Sequence, residues 1–354
     1  MLRDLKVIEL AGVLAGPAAG LFFAELGANV IKVENPRTGG DITRQWKLQT
    51  EDPKSETSAY FASVNWNKQH LFLDYTLEKD LQKTYALISV ADILICNWKS
   101  GDALKFKLDY TTIKKINPEI IYANISGFGE GDNRVAYDAV LQAETGWMFM
   151  NGTPESLPQK IPVAIIDLFA AHQLKEGILT AYIQKLKTGK GAFVSISLYD
   201  AAVASLANQA ANYLNTGFFP QRSGSLHPNI APYGEIITCA DGNEIVLAIG
   251  TDKQFSELCQ IINCSYLMLD DRFSTNANRV KNRTLLFQLI KDLFHTFNSN
   301  ELLDACKEKN IPVGLIRNLE QVFENQAAQN LVLEDGIGKR VRSVVFKIDP
   351  EPGS

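Results

Sequence analysis

Val7–Glu34 reads VIELAGVLAGPAAGLFFAELGANVIKVE, an apolar run, a small-residue stretch and a second apolar run. Lys6–Leu10 predicts a strand, Gly16–Leu26 a helix rich in small residues, and Asn29–Glu34 a buried β-branched strand. Strand, glycine-bearing turn, helix and strand form the first unit of a parallel α/β sheet. The glycines do not make a dinucleotide fingerprint, because G-x-G-x-x-G is absent. Gly12, Gly16 and Gly20 recur every four residues instead, which on a helix leaves a stripe open to another backbone. Two readings stay open: close packing, or a helix start near Ala15–Gly16 that offers free N–H groups to a ligand.

The pattern repeats outward from this stretch. Leu77–Val90 is an amphipathic helix, Asp92–Cys96 a strand, Asp109–Lys115 a helix capped by Asp109 and stopped by Pro118, and Ile120–Ile125 a strand. Gly127–Gly131 is a glycine-bearing loop. Asp167–Lys187 predicts a long helix ending at Thr188–Gly191, then a strand at Phe193–Leu198 and one helix from Asp200 to Leu214. The expected fold class is α/β, with a doubly wound parallel sheet plus a smaller α+β domain joined by a linker. The large domain is expected over 1–215 and 318–354, a proline-bearing linker over 216–233, and the small domain over 234–317. In the small domain Asp241-Gly242 marks a hairpin between Glu235–Cys239 and Glu244–Ile249. Helices are expected over Lys253–Ile262, Asn282–Phe297 and Glu301–Lys309.

Composition narrows the function classes. The 354 residues carry a net charge of -5, which argues against a nucleic-acid surface. Five cysteines without a C-x-x-C pair read as reduced thiols and not as a zinc site. The four histidines have no ligand-like partner at i+3 or i+4, so no metal is expected. No run reaches the ~18 apolar residues of a membrane span. Asp4 and Glu9 break the basic start of a signal peptide, and the expected location is the cytoplasm.

Two local features carry possible chemistry. Asn97-Trp98-Lys99 follows a predicted strand at the carboxyl edge of the sheet, where open α/β sheets bind ligands. Asp167 follows the apolar run Pro162–Ile166 at a predicted helix start. By local rules it is a helix cap; a carboxylate there is also usable as a nucleophile.

Six ordered motifs over residues 1 to about 205 together resemble the class III CoA-transferases, the family of formyl-CoA transferase, carnitine CoA-transferase and the related α-methylacyl-CoA racemase. They are LAGVLAGPAAG with LGANVIKVENPRTGGDITR, NWNKQHLFLD, ADILICNWKSG, INPEIIYANISGFGEGD, VAYDAVLQAETGWMFMNGTP, and PVAIIDLFAAHQLKEGILTAYIQKLKTGKGAFVSISLYDA. The resemblance implies CoA transfer from an acyl-CoA donor to a carboxylic acid, through a mixed anhydride and an aspartyl-CoA thioester on Asp167. It implies a Rossmann-like large domain joined by two linkers to a small domain, CoA as a substrate moiety, no tightly bound cofactor, acyl-CoA and carboxylic acid partners, no membrane or nucleic-acid partner, and a homodimer of interlocked subunits. Leu14 and Ala15 match positions near the adenine, and Asn97 and Trp98, with Lys99 beside them, match an Asn-Phe pair beside CoA. Leu73, Asp74 and Tyr75 match another CoA-lining stretch, and Tyr137 and Asp138 match a pair near the pantetheine arm.

Several positions depart from the family pattern. Asn35 replaces a common arginine, with Arg37 two residues on as a substitute phosphate contact. Val135 beside Arg134, Ala171, and Ser100-Gly101 depart as well, and the glycine loop of formyl-CoA transferase is not evident. The resemblance implies a longer chain than this one, with the family's usual C-terminal tail expected beyond Glu351–Ser354. The racemases carry G-H-D where this chain has Ala136-Tyr137-Asp138. A tyrosine of ordinary pKa ~10 is a poor α-proton base, which favours transferase over racemase. A catalytically weak CoA-binding homologue is the other alternative.

Overall fold

Strands β1 (Lys6–Glu9), β2 (Asn29–Glu34), β3 (Gln69–Phe72), β4 (Ile93–Cys96), β5 (Ile121–Ser126) and β6 (Ala192–Ser197) form one parallel sheet in the order β3-β2-β1-β4-β5-β6. The computed structural model describes residues 2–99 and 101–348. Ser100 and the terminal stretch Glu351–Ser354 noted in the sequence lie outside the described residues. At the sheet centre Val7 lies opposite Val30 on one side and Ile93 on the other. Successive side chains of a strand face opposite ways. Accordingly, Val7, Ile93, Ile95, Ile121 and Ala123 join one core with the helices Ala15–Glu25 and Ile165–Thr188. Ile8, Leu94, Cys96 and Tyr122 join a second core with Leu81 and Ile88 of the helix Glu78–Ser89. The chain is thus mixed α/β with a parallel sheet covered on both faces.

Strand order reverses between β1 and β4, so their following loops diverge and leave a crevice at the carboxyl edge. Lining that crevice requires backbone in close quarters. A Cβ on Gly16 would collide with Ala11, and one on Gly20 with Glu9 Oε2. Gly16 and Gly20 therefore serve close packing, against Ala11 just after β1 and against Glu9 at its end.

Several elements differ from the sequence expectation, a strand and two helices among them. The edge strand β3 was not expected; Gln69 and His70 are polar and the strand is largely exposed. The single helix expected over Asp200–Leu214 is two, Leu198–Ala204 and Ala207–Thr216, broken where Ala207 takes φ +45°. The helix expected over Asn282–Phe297 covers only Arg283–Ile290 before tightening to a 3₁₀ turn over Lys291–Thr296.

The chain divides into two compact units, one of residues 1–152, 156–221 and 329–354, the other of 153–155 and 222–328. The first holds the parallel sheet and a C-terminal hairpin of β10 (Val332–Asp335) and β11 (Gly338–Val341). The second holds β7 (Tyr233–Thr238), β8 (Glu244–Ala248) and β9 (Val313–Leu315), an antiparallel sheet whose first turn carries Asp241-Gly242 as expected. Its core gathers Phe255, Leu258, Phe273, Leu286, Ile290 and Phe294.

Candidate active site

The loops after β1, β4 and β5 surround a cleft of about 210 Å³ at the carboxyl edge of the sheet. Gly12–Ala15 form one wall, Asn97–Lys99 the next, and Ser126-Gly127 with Asp132 and Arg134–Tyr137 the third. Asp167 also lines the cleft.

Asp167 is not the cap of its helix. The helix begins at Ile165, the cap position is Ala164, and no side chain from that position bonds the helix start. Asp138 supplies the missing acceptor across space: its Oδ1 takes the Ile166 N–H at 2.7 Å. Gln142 Nε2 donates to Asp138 Oδ2 at 2.6 Å, and Gln142 Oε1 accepts the Ile161 N–H at 2.7 Å. Asp138 is thereby committed to holding the segment that carries Asp167. The Asp167 carboxyl has no hydrogen bond or ion pair among the described residues. Burial first, and then repulsion from Asp138, push its carboxyl from 3.8 up to about 7.

The other expected residues fall into two groups. Leu14, Ala15, Asn97, Trp98, Lys99 and Tyr137 line the cleft with Asp167. Asn97 spends its amide on the chain itself, accepting the Gly12 N–H at 3.1 Å and donating to the Gly12 oxygen at 3.0 Å. Trp98 packs edge-on against Tyr75, ring centres 5.8 Å apart, so Tyr75 backs the wall that Trp98 forms. Asn35, Arg37, Leu73 and Asp74 do not line this cleft. Asn35 Oδ1 caps the turn at Arg37 N, Arg37 pairs with Asp74, and Leu73 is a core residue.

Glu34, where a dinucleotide fold would place its ribose acid, is fully engaged. Arg44 grips both carboxylate oxygens at 2.7 and 2.6 Å, and His70 lies 2.8 Å away. Against the burial that would raise it, these contacts hold Glu34 well below the usual carboxylate range. Neighbouring residues missed in the sequence are Trp46 and Tyr60. Trp46 stands 5.1 Å from Tyr60 and 6.5 Å from Tyr137, ring centre to ring centre. Burial and then the charges of Asp167, Asp138 and Asp41 push the Tyr60 hydroxyl up to about 12. Nothing in the local sequence around Tyr60 signals a site, since its neighbours are brought in from three other segments. Among the described residues no group of acids, histidines and cysteines could hold a metal, and no helix is long and apolar enough to cross a membrane.

Fold and site together define an α/β protein with a ligand cleft at a strand-order reversal, lined by one unpartnered buried carboxylate. The family model of CoA-transferase family III matches residues 2–347, and the chain belongs to that family. It is 37% identical to the succinate–glutarate CoA-transferase of Agrobacterium fabrum over 95% of this chain and 86% of that protein. It is 34% identical to human succinyl-CoA:glutarate CoA-transferase over 95% of this chain and 75% of that protein. A CaiB/BaiF family crystal structure from Brucella suis superposes with a TM-score of 0.84 at 36% identity, covering 98% of this chain and 92% of that one. The chain is thus a CoA-transferase, an enzyme whose substrates carry CoA as a transferred moiety.

Proposed function

We propose that this protein moves CoA from an acyl-CoA donor to a carboxylic acid through an aspartyl-CoA thioester on Asp167. The observation that carries the reading is a buried carboxylate with no partner, facing a cleft and held by a neighbour of like charge. Burial and Asp138 both disfavour the anion, and acylation removes that charge. The environment therefore favours the covalent intermediates over the resting carboxylate.

In this reading the Asp167 carboxylate attacks the donor thioester carbonyl and CoA leaves as the thiolate, giving a mixed anhydride. The thiolate then attacks the Asp167 carbonyl and expels the donor acid, leaving the aspartyl-CoA thioester. The acceptor carboxylate attacks that thioester, releasing the thiolate and forming a second anhydride. Thiolate attack on the acceptor carbonyl completes acyl-CoA and returns Asp167 as the carboxylate. The start of the helix Ala15–Glu25 lies at the cleft with no side-chain cap, so the N–H groups of Ala15 and Gly16 are free for an oxyanion or a phosphate oxygen, Pro17 having none and Ala18 bonding the Leu14 oxygen. Lys99 adds a cation at the rim. The larger unit is the CoA-binding domain, and Asn35, Arg37, Leu73, Asp74 and Tyr75 serve the outer part of the CoA path.

The protein acts in this reading as an interlocked homodimer. An almost wholly apolar groove in the larger unit, with Phe149, Tyr213, Leu214 and Phe219 on its walls, supports a second copy as occupant. Leu214 is 77% exposed in the single chain. The names of the relatives put dicarboxylic acids such as succinate and glutarate first in a donor and acceptor panel. Steady-state rates over that panel test the reading: parallel double-reciprocal lines support a covalent ping-pong route, and an Asp167→Asn protein that transfers CoA at the wild-type rate contradicts it.

A further inference from the structure

The turn after β1 enters the cleft in a conformation its sequence disfavours. Val13 has φ +69°, in the left-handed region where a β-branched side chain is strained. Two side chains from distant segments hold it there. Asn97 brackets Gly12 on both sides of its peptide. Asp41 accepts the Val13 N–H with both carboxylate oxygens, at 3.2 and 3.1 Å. Asp41 reaches this place through the Gly39-Gly40 turn. Gly40 has φ +91°, and a Cβ on it would stand 2.6 Å from Glu34 Oε2.

From behind, Lys32 Nζ fixes Asp41 at 3.0 Å and donates to the Ala11 oxygen at 2.6 Å. The Thr43 N–H and hydroxyl bond the same carboxylate at 3.1 and 2.8 Å. Asp41 is therefore clamped on one side to β2 and on the other to the backbone that becomes the helix Ala15–Glu25.

We infer that Asp41 is a positioning residue for the CoA ligand, acting through Val13. Holding Val13 left-handed sets the direction in which the chain enters the helix. It thereby aims Leu14 and the free N–H groups of the first turn into the cleft. Without Asp41, Val13 relaxes toward the extended region and the helix start turns from the cleft. The inference rests on the reading that this cleft takes CoA.

The test is a double-substitution cycle read by calorimetric titration with free CoA, with thermal unfolding followed in parallel. Asp41→Ala weakens Kd about tenfold in otherwise wild-type protein, the scale of left-handed backbone cost. In the Val13→Gly background the same change weakens it less than about threefold, because glycine adopts this φ freely. Should Asp41→Ala fail to fold, the pair Lys32→Met/Asp41→Ala enters the same cycle; it leaves Glu9 opposite Lys68, a neutral core. An equal penalty in both backgrounds overturns the inference, as does a folded Asp41→Ala that binds CoA like wild type. Binding of free CoA needs no attack by Asp167, so failure of the covalent chemistry leaves this test intact. Wild-type protein that does not bind CoA overturns the cleft reading itself.

Discussion

Two buried acid clusters lie close together in the larger unit and are built on opposite principles. Around Glu9, every charge is matched. Lys68 Nζ lies 2.8 Å from Glu9 Oε2 and bonds the Pro17 oxygen at 2.8 Å and Asn65 Oδ1 at 3.1 Å. Lys32 lies 3.0 Å from both Glu9 and Asp41. Two cations face two anions. Around Asp167 two acids meet and only Asp138 has partners. The first cluster fixes the backbone behind the cleft; the second leaves the Asp167 carboxyl without a partner. Matched buried charge holds geometry, and unmatched buried charge stores reactivity at the expense of stability.

The two lysines sharpen the comparison. Both are fully enclosed, yet Lys68 is pushed down to about 8 and Lys32 is raised. Burial acts first on each. Lys32 has two carboxylates to offset it, whereas Lys68 has Glu9 chiefly and feels Lys32 as a repelling neighbour.

The largest expected effect breaks the unmatched cluster. Asp167→Asn lowers kcat/KM for CoA transfer by at least about 10³-fold, measured with the best donor and acceptor pair. Breaking the matched cluster affects folding instead. Glu9→Gln leaves two buried lysines with one carboxylate, and urea unfolding detects a loss of about 3–5 kcal/mol.

Next comes the pH dependence of stability. Asp167 has a raised folded-state pKa, 3.8 going to about 7. Below about pH 4 the acid is protonated in both states. Between there and pH 7 the folded protein keeps a proton that the unfolded chain releases, so this group's contribution falls as pH rises. Asp167→Asn is therefore more stable than wild type at pH 8, by on the order of a few kcal/mol, and the gap closes toward pH 4. The same titration makes wild-type kcat/KM rise with pH through a midpoint near 7. Asp138→Asn gives the smallest change. Its remaining oxygen still accepts the Ile166 N–H, while the repelling charge is gone, so the midpoint moves to lower pH with the protein still folded. An unmoved midpoint would show that Asp138 acts only as a cap.

Much of this was legible in the sequence because it is local. Val7–Glu34 carries two short apolar stretches around a helix of small residues, and Ile93–Cys96 is a continuous apolar run; together they point to a parallel sheet with Asn97 at its carboxyl edge. The motif resemblance put the nucleophile reading of Asp167 first, where local rules put a helix cap first. What local rules missed is long range. Asp138 caps a helix 28 residues away. The pairing of Glu9 with Lys68 joins residues 59 apart, with no spacing signal to reveal it. Edge strand β3 escaped notice because Gln69-His70-Leu71-Phe72 has no alternation and finds a partner only in β2. The helix break near Ala207 lies in an alanine-rich stretch whose propensity favours continuation, and tertiary context overrides it.

The central claim is that Asp167 carries CoA covalently. Intact-mass and peptide mass spectrometry after incubation with an acyl-CoA donor, quenched in acid, reads this directly. The account predicts a CoA adduct on the peptide containing Asp167 in wild type and none in Asp167→Asn. A wild-type protein that transfers CoA to an acceptor without any adduct on that peptide, or an Asp167→Asn protein that retains the adduct, would contradict it.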